Sequence, residues 1–198
     1  MTVSGGQIIP AKVWIEACEN YQKQSYRNRC KICSSRGVEN LNVNVVHENG
    51  TFSLPIREIK VDYSTPWISK TERAIEAAYG SSPFFPHYRD ALFAILESRH
   101  ERLFDLDLAI IRWMTDKLGL KAEFAMTGEF SAPGESIYGK DLRSVIHPKK
   151  SNSILSELGL DRPYYQVFSQ RFGFVPNLSA IDLLFNEGPD SVSYLLRI

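Results

Sequence analysis

Two stretches of this chain carry side chains whose types and spacing could do chemistry. Towards the amino end, Lys23, Arg27, Asn28, Arg29, Lys31 and Arg36 meet only Glu39 as a counter-charge before the next expected strand, and Tyr21 and Tyr26 flank them. If residues 27–32 are extended, Arg27, Arg29 and Lys31 share one face with their cations roughly 6–7 Å apart. Arginine forks bind phosphate oxygens in pairs, and aromatic rings stack on a base or a sugar. The segment therefore suits a diphosphate or nucleotide-sugar. A solvated strand face paired with acidic helices accounts for the same residues about as well.

The second stretch spans residues 172–189, Phe-Gly-Phe-Val-Pro-Asn-Leu-Ser-Ala-Ile-Asp-Leu-Leu-Phe-Asn-Glu-Gly-Pro. Its spacing predicts a short buried helix. Ser179 suits the N-cap, and Asp182 three positions on could reach back to the Ser179 amide. Leu178, Ile181, Leu184 and Phe185 fall on one side, and Gly188-Pro189 stops the turn. Asp182, Asn186 and Glu187 are then polar groups carried to the edge of a core. They are either caps and buried hydrogen-bond partners or part of a ligand site, where Asp182 or Glu187 would act as general base.

Familiar signatures are missing. There is no GxGxxG after a strand, no GxxxxGKS/T, no GxSxG and no HExxH, so no cofactor is expected. His47, His87, His100 and His147 fall in separate elements. Cys30 has Arg29 and Lys31 as neighbours, which favours a thiolate, but a base for it has no local signal beyond His47 across an expected sheet. Cys30-Lys-Ile-Cys33 with Cys18 and His47 could form a Cys3His zinc site. The second close-spaced ligand pair of such sites is absent, so free thiols and no metal are expected.

With 23 basic and 23 acidic residues, the chain lacks the long positive track that single-stranded nucleic acid needs. No apolar run is long enough to span a bilayer, and the start has no signal-peptide pattern, so the expected location is the cytoplasm.

The elements that must position these groups are legible from periodicity. Residues 12–16 read as a short strand and residues 41–46 as a half-buried strand. Asn49-Gly50 predicts a hairpin to a partner at 52–59, which Pro55 keeps at an edge. Helices are expected from Pro66 to a left-handed stop at Gly80, over 81–98, and over 103–118 with Leu106, Ile110, Trp113 and Met114 inward. Residues 121–126 read as a short strand, and 127–150 as a long excursion of the kind that serves as a functional lid or is disordered. Short helices at 153–158, 163–171 and 190–196 complete the chain. The expected fold is α+β: a small, mostly antiparallel amino-terminal sheet, then a mainly helical part, packed as one domain over 1–198. Trp67 and Ser82-Pro-Phe-Phe85 read first as helix-entry and core residues.

On these residues the chain resembles the WbqC-like family of bacterial proteins over residues 13–198. The resemblance is carried by Tyr21-Gln-Lys-Gln-Ser-Tyr-Arg-Asn-Arg-Cys30, the Leu-x-Val-x-Val run from Leu41, Pro55-Ile-Arg-Glu-Ile-Lys-Val-Asp-Tyr63, Trp67, and Ala77-Ala-Tyr-Gly-Ser-Ser-Pro-Phe-Phe85. Tyr165-Gln-Val-Phe168, Gly173-Phe174 and Asp182-Leu-Leu-Phe-Asn-Glu-Gly-Pro189 complete it. Arg27, Asn28 and Arg29 match the family's Arg-Asn motif, and Asp182 with Asn186 its carboxy-terminal motif. Position 30 varies between branches. The family's front element, a His- and Pro-containing strand and a helix, is expected to be truncated before Val13.

The resemblance implies an enzyme of bacterial surface-polysaccharide (O-antigen) biosynthesis that transfers a glycyl or other acyl group to an amino sugar. It would act on a phosphorylated, nucleotide-linked or lipid-linked sugar, with polysaccharide-pathway enzymes as further partners. The expected substrate-binding residues are Lys23, Arg27, Asn28, Arg29, Trp67 and Asn186, and the expected catalytic residues are Asp182 and Glu187. A non-catalytic assembly protein of the same pathway is the alternative, ahead of a single-stranded nucleic-acid binder.

Overall fold

The computed structural model describes residues 2–4, 7–9, 11–47, 53–134, 139–143, 145–150 and 153–196. Small strands lie near the amino end and a mainly helical part follows, as the α+β expectation holds. Among the described residues the strands do not merge into one sheet. β1 (Thr2–Ser4) pairs with β2 (Gln7–Ile9) and β4 (Arg29–Ser34) with β5 (Gly37–Asn42), both antiparallel. β3 (Ala11–Ile15) pairs in parallel with β6 (Ala122–Met126), which comes from beyond the third helix.

The β4–β5 hairpin differs from the expected one. Ser34 pairs with Gly37, so Ser35 and Arg36 form the turn, and Gly37 leaves it at φ +105°. That conformation favours glycine. β5 therefore starts earlier than the alternation at 41–46 suggested, and its partner precedes it in the chain. The Asn49-Gly50 turn lies outside the described residues. In place of the expected partner strand, Ile56–Glu58 forms a single 3-10 turn. Pro55 has no N–H to give a ladder, and among the described residues isolated bridges, Asn20 to Pro55, Val45 to Val61 and Lys60 to Arg102, join this region to its neighbours.

The three long helices are α1 (Trp67–Tyr79), α2 (Phe85–Glu97) and α3 (Leu103–Lys117). Pro66 precedes α1 and Pro86 sits in the first turn of α2, where a missing N–H costs nothing. Gly80 ends α1 in a right-handed conformation, φ −57° and ψ −24°, against the left-handed stop expected. Glycine is needed there for a different reason, since a Cβ would lie 2.7 Å from the Glu76 carbonyl oxygen.

The apolar faces gather into two clusters. One joins Tyr21, Val45, Ile56, Ile59, Val61 and Trp67 to Leu96, Leu103, Phe104, Leu106 and Leu108. The other joins Ile32, Ile75, Tyr79, Phe85, Leu92 and Phe93 to Ile181 and Phe185. Leu106 is fully buried, while Ile110, Trp113 and Met114 are half-buried against the two clusters.

Residues 127–150 contain no helix or strand among those described. α4 (Ile154–Glu157) and α5 (Ser169–Phe172) are single turns; residues 163–168 of the expected second helix are irregular. Then come α6 (Ala180–Glu187), a 3-10 turn at Gly188–Asp190, and α7 (Ser191–Leu196). α6 is too short to stand alone; Leu184 and Phe185, both fully buried, each add about 1.5–3 kcal/mol of burial. The Phe185 ring meets Tyr79 and Phe85 edge-on at 5.2 Å. Phe185→Ala would remove both contacts and cost about 3–5 kcal/mol.

Candidate functional site

Between the two clusters lies a cavity of about 450 Å³. Its size falls within the range of small-molecule sites. β4 and the loop before it supply Tyr26, Arg27, Asn28, Arg29 and Cys30; α1 supplies Trp67, Thr71 and Ile75; α2 supplies Leu92 and Leu96. α3 adds Phe104, Asp107, Leu108 and Ile111, the chain after β3 adds Glu16 and Glu19, and Ile146 comes from the excursion. Ser179 and Ile181 bring in the start of α6, whose Ser179 amide bonds the Lys31 carbonyl at 2.8 Å.

Most of the wall is apolar, and its charged groups are not equivalent. Arg27 grips Glu19 with two bonds, Nε to Oε1 at 2.7 Å and Nη2 to Oε2 at 2.6 Å, with the side chains 18% and 14% exposed. Glu16 is also occupied. It accepts from Thr127 Oγ1 at 2.7 Å, from the Cys18 amide at 2.8 Å and from Arg143 Nη1 at 2.9 Å. Arg143 in turn binds Asp141 and the Ser131 carbonyl. This network ties the excursion to the end of β3, and the Arg143 guanidinium holds the Asp141 carboxyl well below its ordinary range.

Arg29 is different. Its guanidinium has no acceptor among the described residues, and its Nε is buried without one. Asp107 likewise forms no hydrogen bond or ion pair among the described residues. It is half-buried and lines the cavity. Burial pushes its carboxyl well above the ordinary range, with the Arg27 charge pulling the other way. Asn28 donates from Nδ2 to the Val43 carbonyl at 3.0 Å, while its Oδ1 is buried without a donor. The Tyr21 hydroxyl feels Arg29, Asp107 and Arg27 together, which places the three charges in one electrostatic neighbourhood. Cys30 lines the cavity, but burial raises its thiol despite the nearby Ser179 hydroxyl. That favours the unreactive thiol form.

Such an arrangement can hold an anion at Arg29 and a hydrogen-bond donor at Asp107, and can enclose an apolar body. A model of the WbqC-like protein family matches residues 11–194. The chain belongs to the WbqC-like protein family. It is similar to a protein of Mycobacterium tuberculosis described as uncharacterized protein Rv1507c, 28% identical over 198 aligned positions that cover 88% of this chain and 83% of the relative. No solved structure matches.

The family motifs meet at this cavity in part. Arg27, Asn28 and Arg29 line it, as does Trp67, which is 4% exposed and donates from Nε1 to the Asp62 carbonyl at 2.9 Å. Lys23 is exposed on the loop outside the cavity lining. Asp182, Asn186 and Glu187 do not line it. Asp182 is 1% exposed and its Oδ2 accepts from Tyr164 Oη at 2.6 Å and Gln166 Nε2 at 2.9 Å. Burial raises its carboxyl, opposed by those two donors and by the Tyr79 hydroxyl.

The expected capping box is therefore not formed: the Asp182 side chain turns to Tyr164 and Gln166, and its amide bonds the Ser179 carbonyl at 2.9 Å. Asn186 accepts from Ser82 Oγ at 3.0 Å and donates to the Asp182 carbonyl at 2.7 Å. Glu187 Oε1 accepts from the Tyr165 amide at 3.0 Å. Sequence reasoning missed Asp107. Its signal is an acid among Phe104, Leu108 and Ile111, positions that together make one helical stripe.

Proposed function

We propose that this family member is a cytoplasmic enzyme of bacterial surface-polysaccharide (O-antigen) biosynthesis that transfers an acyl or aminoacyl group to an amino sugar, using the cavity to hold its activated, phosphorylated or nucleotide-linked substrate. The observation that carries the reading is the guanidinium of Arg29, without an acceptor among the described residues, on the wall of a cavity large enough for a ligand. Arg29 is half-buried with its Nε shielded from water, and a partly desolvated cation is costly without a partner, so an anion on the ligand would recover that cost. Arg27 would shape the site through Glu19 while Arg29 binds. Trp67 would pack against the substrate body. Asp182, Asn186 and Glu187 would fix α6, and with it Ser179 and Ile181, against the hairpin.

Family resemblance supports the pathway, and the cavity supports the ligand class. No helix among the described residues is long and apolar enough to cross a membrane, which accords with a cytoplasmic setting. Isothermal titration with UDP-linked amino sugars and with acyl phosphates tests the reading. A charge-assisted hydrogen bond is worth about 1.5–3 kcal/mol, so Arg29→Ala should weaken binding by roughly 10- to 100-fold with the unfolding transition intact. Unchanged binding by that variant removes the anion grip. No binding of any such ligand by the native protein would favour the assembly-protein alternative.

A further inference from the structure

We infer that the cavity selects a hydrophobic α-amino acid, free or as an activated aminoacyl group, with its carboxyl oxygens on Arg29, its amine on Asp107 and its side chain among Leu92, Leu96, Phe104 and Leu108. The inference deepens the proposed function and rests on the cavity being the ligand site. It follows from matching what the walls lack. Among the described residues, Arg29 offers N–H groups with no acceptor and Asp107 a carboxyl with no donor, while every other charged group that lines the cavity is paired.

A ligand that satisfies both carries an anionic or carbonyl oxygen and an N–H donor on one small head. A nucleotide's phosphate supplies the first, but its donors, the ribose hydroxyls and base N–H groups, lie several bonds away rather than on the same small head. A primary amine bonded next to a carboxyl group supplies both, and Asn28 Oδ1, also lacking a donor, can take another of its N–H groups after a small side-chain shift.

The remaining surface decides the size of the side chain. Apolar residues from α1, α2, α3 and α6 converge on the space, with Trp67 and Phe104 as its aromatic members. A glycyl group would leave those walls without contact and forfeit the burial energy that apolar surface supplies. A leucyl or phenylalanyl group would fill part of the cavity and leave room beside its carboxyl group for an attacking amine. Thr71 on α1 and Tyr26 before β4 border that space.

The test uses the native full-length chain and a series of small probes read by calorimetry. L-Leucine and L-phenylalanine are compared with glycine, with 4-methylpentanoate and 3-phenylpropanoate, which lack the amine, and with isopentylamine and phenethylamine, which lack the carboxylate. The expected result is binding of the two hydrophobic amino acids, with affinity at least about tenfold lower for glycine and for each truncated analogue. Asp107→Asn should narrow the gap between each amino acid and its deaminated analogue, and Arg29→Gln the gap to the decarboxylated one. The inference is overturned if glycine binds as tightly as leucine, if the deaminated acids match the amino acids, or if neither amino acid binds at millimolar concentration. In those cases the response of nucleotide-sugar binding to Arg29→Ala still judges the broader function by itself.

Discussion

Replacing Asp182 separates a structural carboxylate from a reacting one. Both of its donors, Tyr164 Oη and Gln166 Nε2, reach the same oxygen, at 2.6 and 2.9 Å. Gln166 also clasps residue 175, accepting from its amide at 2.9 Å and donating to its carbonyl at 3.0 Å. One buried oxygen therefore fastens residues 164–175 to α6. Asp182→Ala leaves two buried donors without that acceptor, at about 1–3 kcal/mol each. The loss should total about 2–5 kcal/mol, or roughly 5–20 °C in Tm for a chain of this length.

Asp182→Asn keeps a carbonyl oxygen where both donors converge. The Tyr79 hydroxyl, buried beside Asp182 and acting on it, can turn to meet the new amide. This variant should stay within about 1 kcal/mol of the native protein at neutral pH. The pH dependence has a definite sign. The folded-state carboxyl is raised above its ordinary 3.8, so the native state holds that proton more tightly than the unfolded chain does. Its contribution to stability is greatest in acid and is lost as pH rises from about 4 through the raised value. Asparagine has no such loss, so the Tm of Asp182→Asn relative to the native protein should climb over that window. Thermal unfolding of the three proteins at several pH values reads all of this. A fall for Asp182→Asn as large as that for Asp182→Ala would refute the shared-acceptor argument, and native Tm with abolished turnover would restore Asp182 as a base.

Asp107→Asn should narrow the selection of the amine yet raise Tm at pH 8 more than at pH 5. Its raised carboxyl carries the same sign as Asp182 without hydrogen bonds to offset it, so equal Tm shifts at both pH values would contradict the unpaired assignment. Arg143→Ala removes the link between the excursion and Glu16, which is only 8% exposed as a residue; Thr127 and the Cys18 amide remain as donors. The cost should be about 2–3 kcal/mol, below that of a wholly orphaned buried charge, with faster limited proteolysis within 127–150; an unchanged cleavage rate would show that other contacts hold the segment. Gly188→Ala should destabilise by about 2–4 kcal/mol, because Gly188 sits at φ +53° and a Cβ would lie 2.5 Å from the Phe84 ring. A Tm within error of native would mean that Phe84 yields freely.

The long helices were legible because each has local punctuation: Pro66 and Pro86 at the starts, and Gly119 just past the end of α3 at φ +67°. Strand pairing was less so. The Asn49-Gly50 signal lies outside the described residues, and the antiparallel bonds on either side of it, the Val46 amide to the Lys60 carbonyl and the Asp62 amide to the Asn44 carbonyl, join 44–46 to 60–62 rather than to 52–59; the β4–β5 hairpin closes at Ser35-Arg36, upstream of it. The pairing of β3 with β6 joins Ala11 to Ala122 and has no local signature at all. Density of cations marked the cavity wall, but sequence alone could not say that Arg27 would be spent on Glu19 while Arg29 stayed without a partner.

The same limit explains α6. Its sequence correctly marks Ile181, Asp182, Leu184, Phe185 and Asn186 for burial, and burial is all that periodicity encodes. Successive helix residues turn by about 100°, so the step from Ile181 to Asp182 carries the chain from the cavity wall to the Tyr164 and Gln166 donors. Two positions equally hidden from water thus face different surroundings, one empty and one filled. Which of them meets a ligand depends on what packs opposite, and residues 164–175 are brought there by the turn at Asn177 and Ser179, where Asn177 adopts φ +60°. A polar residue in a buried helix is consequently a weak indicator of chemistry until its neighbours across the gap are known. Asp107 illustrates the converse: it stands among apolar positions of α3, felt by the Arg27 charge but without a hydrogen bond or ion pair among the described residues, and that unmet valence is what points to a ligand.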